Sequence, residues 1–134
     1  MQERYLCRAK RIDNEEWVYG LPSYGQGGKI GEIEVWDGAD TTFYAVDSST
    51  ICRCTGRAER DKKLIYEHDV VAYLDTYSTE GGYAEADCVG EVVWDEETLS
   101  FQVTNRLSAE SWEVLDEECK VLGNTFDNPE LLEV

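Results

Sequence analysis

The chain has one histidine, His68, which stands beside Asp69 and two residues after Tyr66. A carboxylate next to an imidazole can hold one tautomer for general-base work, so Tyr66, Glu67, His68 and Asp69 are where catalysis would be sought. No nucleophile or second base stands at a recognisable spacing from them, and the four residues fall in a polar corner between apolar runs. A solvent-exposed turn histidine is the simpler reading, and no catalytic residue or enzymatic activity is expected.

Cys52-x-Cys54 is half of a zinc pattern, but structural zinc takes four ligands, commonly as two closely spaced pairs. In a strand the two sulfurs share one face, with Arg53 on the other. Small buried apolar side chains satisfy that arrangement as well as a metal does. The carboxylate runs Asp95-Glu96-Glu97 and Asp116-Glu117-Glu118 lack the alternating oxygen ligands and the glycine of a calcium loop. They read as solvated turns, and neither metal nor cofactor is expected.

Arg53, Arg57, Arg60, Lys62 and Lys63 form the one basic cluster, interrupted by Glu59 and Asp61. Basic loops of small barrels can contact phosphate. No aromatic ring is interleaved between Arg53 and Lys63, which argues against a single-strand stacking platform. Docking of this loop onto acidic residues of the same chain or of a neighbouring copy is the alternative.

Total charge bears on partners more than any single motif. Against 12 Lys and Arg stand 29 Asp and Glu, a net charge of −17 over 134 residues. The excess is lopsided: Met1 to Glu67 holds 10 basic and 12 acidic residues, net −2, and His68 to Val134 holds 2 and 17, net −15. Such a field repels phosphate backbones and headgroups and attracts basic protein surfaces. Nucleic acid is thus not expected as a partner of the acidic half, although excess acid also serves solubility alone. The five cysteines, Cys7, Cys52, Cys54, Cys88 and Cys119, are odd in number. With no leader pattern at the N-terminus, reduced thiols in the cytoplasm are expected. No apolar run approaches the roughly 18 residues that span a bilayer, so no membrane helix is expected.

These residues must be positioned by strands. At 42% hydrophobic residues the chain is globular, and its length fits one domain, 1–134. Polar corners punctuate β-branched and aromatic runs, which predicts a mainly β fold built on a small barrel. Tyr5 to Lys10 and Trp17 to Tyr19 read as a hairpin around Asp13-Asn14-Glu15, and Leu21 to Gly28 as a loop. Ile30 to Trp36 alternates, with Ile33 and Val35 on the apolar side, and Thr41 to Val46 follows as its partner across Asp37-Gly38. Ile51 to Cys54 is a strand, Thr55-Gly56 a turn, Leu64 to Tyr66 a short strand, Glu67-His68-Asp69 a corner and Val70 to Leu74 a strand. Ser78 to Gly82 is a loop and Tyr83 to Asp87 a short strand. Glu91 to Trp94 and Ser100 to Thr104 form the clearest hairpin, across Asp95 to Thr98. Ser108 to Glu118 suits a helical turn or two, Cys119 to Leu122 a last strand and Gly123-Asn124 a turn. Asn128-Pro129 suits the start of a short C-terminal helix.

Three stretches together resemble the YopX family of bacteriophage and prophage proteins. Thr55-Gly56, a charged loop and LIYEHDVV resemble that family's Thr-Gly, charged loop and Ile-Tyr-Glu-Gly-Asp-Ile-Val. GEVVWDEETLSFQV at Gly90 to Val103 is similar to its glycine-led hairpin, and VLGNTFDNPELLEV to its C-terminal segment. Arg8-Ala9 and Trp17 to Gly20 extend the similarity. The chain departs from the family pattern at Cys52, Arg53 and Cys54 before the shared Thr55-Gly56, at Arg57 after it, and at His68, where glycine is usual. The resemblance implies an SH3-like small barrel with additional hairpins, a possible homo-oligomer, and an origin in a phage or prophage acting inside a bacterial host. It implies no catalytic site.

Charge and resemblance together point to a non-enzymatic accessory protein that binds a basic surface on a host protein. DNA mimicry against a nucleic-acid or defence enzyme is the form this takes most naturally, since duplex DNA carries one negative charge per roughly 1.7 Å of axis. The contact residues expected are Glu91, Asp95, Glu96, Glu97, Glu113, Asp116, Glu117 and Glu118. The alternative is a nucleic-acid-binding barrel that uses Arg53, Arg57, Arg60, Lys62 and Lys63.

Overall fold

The computed structural model describes residues 6–24, 30–59, 61–104, 109–111 and 119–132. The chain divides into two compact units, Met1–Gly56 and Arg57–Val134. Each has its own apolar core.

In the first unit, β1 (Cys7–Lys10) and β2 (Trp17–Tyr24) form the expected hairpin, paired from Cys7↔Gly20 to Lys10↔Trp17. The Leu21 to Gly28 loop is corrected: Leu21 to Tyr24 continue β2 and pair with β3 (Ile30–Trp36), while residues 25–28 lie outside the described set. Pro22 is tolerated there because it faces Ile33, whose backbone groups turn toward the next strand, so no ladder bond is lost. β3 pairs with β4 (Thr41–Ala45) through five successive residues. A 3₁₀ turn at Ser48–Thr50 follows, capped by Asp47, whose Oδ1 accepts from Ser49 N at 3.0 Å. β5 (Cys52–Ala58) returns beside β1, giving the order β4-β3-β2-β1-β5. Arg11 also bridges to Val46 just beyond β4. Cys7, Ala9, Ile33 and Val46 form the core, with Val18, Val35 and Ile51 against it, as alternation along β3 predicts.

The expected turn at Thr55-Gly56 is a second correction. β5 continues through it with Gly56 at φ +82°, a backbone state that glycine adopts freely, so the chain does not reverse there. β6 (Leu64–Tyr66) lies beside the end of β5 in the second unit.

The second unit is built on a long hairpin. β7 (Asp69–Thr79) and β8 (Gly82–Asp95) stay in register from Val70↔Glu91 to Thr79↔Gly82. The expected loop and short strand between Ser78 and Asp87 are therefore one continuous ladder, reversed at Glu80-Gly81. β9 (Ser100–Thr104) pairs with the end of β8, as the sequence predicts. β10 (Ala109–Ser111) is a strand where a helical turn was expected, while residues 112–118 lie outside the described set. β11 (Lys120–Asn124) pairs with β7, completing the order β10-β9-β8-β7-β11. Gly123-Asn124 closes this strand rather than forming the turn. The turn is Thr125 to Asp127, where Asn124 Oδ1 accepts from Phe126 N at 3.0 Å and Asp127 N at 2.9 Å. Ile65, Val71, Tyr73, Val92, Val103, Cys119 and Val121 fill the core.

The fold is thus mainly β, as expected. Among the described residues the strands make two open antiparallel sheets and no closed barrel. The C-terminal helix is a single 3₁₀ turn at Pro129–Leu132, with Pro129 at its first position.

Candidate interaction surfaces

His68 sits in the corner between β6 and β7 at φ +66°, a left-handed conformation uncommon for a residue with a Cβ. Three contacts hold it there. His68 N donates to Val92 O at 2.7 Å, Thr125 N donates to His68 O at 2.9 Å, and Nδ1 lies 2.7 Å from Glu91 Oε2. The ring meets Phe126 edge to face at 5.5 Å between centroids. Asp69 is buried, 1% exposed, and its Oδ2 accepts from Tyr66 N at 2.9 Å. The sequence-adjacent carboxylate therefore closes a turn, and the imidazole takes its partner from β8, 23 residues away. The His68–Glu91 pair is brought together by the β7–β8 register, which sequence proximity does not show.

Of the eight expected acidic contact residues, the structure describes four. Glu91 is tied to His68. Asp95 opens the β8–β9 turn, accepting from Thr98 Oγ1 at 2.7 Å, Gln102 Nε2 at 3.0 Å and Glu97 N at 3.2 Å. The Thr98 hydroxyl, then the Glu97 amide, hold its carboxyl below the ordinary aspartate range. Glu96 and Glu97 are exposed on the same turn. Glu113, Asp116, Glu117 and Glu118 lie outside the described residues.

The basic residues are divided. Arg53 is exposed on β5 within the first unit, Lys62 and Lys63 are exposed before β6, Arg57 is half-buried, and Arg60 lies outside the described residues. Glu59, which interrupts this cluster in sequence, turns inward: it is 7% exposed and its Oε2 accepts from Val121 N. This buried carboxylate was not foreseen, and nothing local marks it, since its partner stands 62 residues away.

Cys52 and Cys54 share a buried face with Arg53 opposite, as strand alternation predicts, and none of the five cysteines is assigned to a disulfide. Among the described residues no group of His, Cys, Asp or Glu is placed to hold a metal ion. No helix among them is long and apolar enough to cross a membrane.

A family model described as YopX protein matches residues 7–133. No curated protein matches the chain. Among solved structures, the chain is similar to protein EF1440 from Enterococcus faecalis, with a TM-score of 0.56 and 19% identity over 95% of this chain and 96% of that one. At that identity the likeness concerns the fold.

Proposed function

The chain belongs to the YopX family over nearly its whole length, and from that premise we propose that it is a non-enzymatic phage or prophage accessory protein that binds a basic surface on a protein of its bacterial host. The observation that carries this reading is the placement of charge. Residues 1–56 hold 6 basic and 9 acidic residues, net −3, and residues 57–134 hold 6 and 20, net −14. An acid excess kept for solubility alone has no reason to avoid one of two units. One concentrated on a single unit steers that unit toward cationic partners. A nucleic-acid or defence enzyme, whose DNA site is itself basic, is the partner class this field fits best, in the cytoplasm of the host. In the first unit, the order β4-β3-β2-β1-β5, the 3₁₀ turn before β5 and the Arg11↔Val46 bridge support the finer reading of an SH3-like element.

Glu91 and Asp95 have structural partners, so the informative substitutions are Glu96, Glu97, Glu117 and Glu118, all to Gln. The tagged protein is used to capture partners from host lysate, with and without nuclease, and washed at low and then high salt. Capture of a basic nucleic-acid enzyme that survives nuclease, is released by salt and is lost in the fourfold variant supports the proposal. Retention of nucleic acid alone, or undiminished capture by the variant, overturns it.

A further inference from the structure

Open sheets expose strand edges, and the two units treat theirs differently. In the second unit, edge strand β10 is three residues long and carries Glu110, while edge strand β11 carries Lys120 and a register shift between Val121 and Gly123. Charge, brevity and bulges are the usual means of blunting an edge. β4, which ends the sheet of the first unit, has none of them. Its sequence is TTFYA, with no charge, no proline and an unbroken register against β3.

The ladder shows which backbone groups this edge offers. Val46 N donates to Gly31 O at 3.1 Å, so by alternation the backbones of Tyr44 and Thr42 also face β3, and those of Thr41, Phe43 and Ala45 face outward. Ile12 N already takes Ala45 O at 3.1 Å, and Thr41 and Phe43 extend the edge beyond that contact.

The outer face beside this edge is apolar and anionic. Register places Leu21, Glu34 and Phe43 in one row across β2, β3 and β4, and Ser23, Glu32 and Ala45 in the next. Alternation puts Tyr19 and Trp36 on the same face, away from the core around Ile33. Trp36 is 67% exposed, Phe43 52% and Tyr19 49%. These three strands bring no Lys or Arg to that face. Arg8 and Lys10 reach it from β1, where their cationic groups lie 4.7 and 5.4 Å from the Trp17 ring centre. The face thus already accommodates cations on an aromatic ring.

We propose that the outward edge of β4, together with Trp36, Phe43, Glu32 and Glu34, docks an extended basic segment of another protein, which adds to the sheet as a strand beyond β4. Main-chain bonds to Thr41 and Phe43 supply register, and alternate Lys or Arg side chains lie over the rings and against the two glutamates. Charge complementarity selects this occupant. A nucleic acid is repelled by Glu32, Glu34 and the net charge of −17, and a second copy of the chain brings the same −17 to the contact. The site lies in the first unit and is independent of the role proposed for the second.

The test is an amide NMR titration of the labelled full chain at about 0.15 M salt, where long-range attraction is screened. The probe is an end-blocked peptide of alternating Arg and Val, compared with one of alternating Glu and Val and with a short oligothymidine. Shifts at the Thr41 and Phe43 amides and the Trp36 indole are expected with the Arg peptide alone. Trp36→Ala, and Glu32→Gln with Glu34→Gln, each weaken binding about fivefold or more. Thr41→Pro removes one outward N–H without touching the β3 ladder and abolishes the edge shifts. Shifts confined to the second unit, an equal response to the Glu peptide, binding of oligothymidine at β4, or peptide-independent self-association through β4 overturns the proposal. The two surface variants keep the test decisive if the proline variant does not fold.

Discussion

The two units reach similar architecture by opposite treatments of their surfaces. The first holds a net charge of −3 and leaves Trp36, Phe43 and Tyr19 exposed beside an uncharged strand edge. The second holds −14, ends its sheet on strands bearing Glu110 and Lys120, and places Glu96 and Glu97 on an exposed turn. A chain under pressure only to stay soluble would spread its charge evenly. The contrast teaches that the units present different chemistry, and it fits the two proposals: attraction of a cationic surface at a distance by the second unit, and contact docking of an extended basic segment by the first.

The comparison assumes that each unit stands on its own core, which the largest expected effect tests. Ile33 and Ile65 are both fully buried, one in each core. Truncating either to Ala costs about 2–5 kcal/mol. Hydrogen exchange is expected to lose protection only in the unit that carries the substitution. Equal loss in both units would merge the two cores into one cooperative block and break the comparison.

Close backbone approach gives a smaller matched pair. A Cβ on Gly20 would lie 2.2 Å from Glu34 O, and one on Gly90 would lie 2.6 Å from Val103 Cγ1 and 2.9 Å from Thr104 O. Gly31 and Gly81 have open space at that position. Gly20→Ala and Gly90→Ala each destabilise by about 1–3 kcal/mol, with the rigid backbone contact putting Gly20 higher. The variants at Gly31 and Gly81 stay near the parent in denaturant midpoint.

Aspartates sharpen the contrast between inside and outside. Asp69→Ala leaves Tyr66 N buried without its acceptor, a cost of about 1–3 kcal/mol. Asp37 also accepts two backbone amides, from Ala39 and Asp40, both at 2.9 Å, but water can replace an exposed carboxylate. Its removal shifts the thermal midpoint less. An Asp37 variant as damaging as the Asp69 one would show that exposure does not separate the two roles.

What the sequence revealed follows from how far apart the interacting residues lie. Period-two alternation identified β3 and its inward Ile33, and the polar run at Asp95 identified the β8–β9 hairpin, because each signal spans a few residues. Gly56 and Pro22 misled because glycine and proline usually mark turns, whereas here a positive φ and a non-bonded ladder position absorb them. The Glu59 bond to Val121 N and the His68–Glu91 pair have no local signature, since register alone makes them. The acidic cluster was legible as composition, but composition does not distinguish Asp95, which organises a turn, from Glu96, which faces solvent. The open edge of β4 was unreadable for the same reason: a strand becomes an edge only when the whole sheet order is known.

Acid provides the smallest and most discriminating test. In the first unit Asp13 is held below the ordinary aspartate range by Arg11, Asp37 by the amides of Asp40 and Ala39, and Asp47 by the hydroxyl and amide of Ser49. In the second unit, Asp95 is held low in the same way, by the Thr98 hydroxyl and the Glu97 amide. A carboxyl lowered in the folded state contributes stability that is present above its unfolded pKa and is lost as pH falls through the folded value. Protonation therefore removes the contributions of Asp13, Asp37 and Asp47 from the first unit and that of Asp95 from the second. The same protons relieve self-repulsion in the unit that carries −14 and hardly affect the one that carries −3. Lowering the pH from neutral through the carboxylate range is accordingly expected to loosen the first unit before the second, with exchange protection lost in β1 to β4 while β7 and β8 stay protected. The reverse order would mean that repulsion in the second unit is already neutralised in the folded protein, and that its charge is not available to attract a partner.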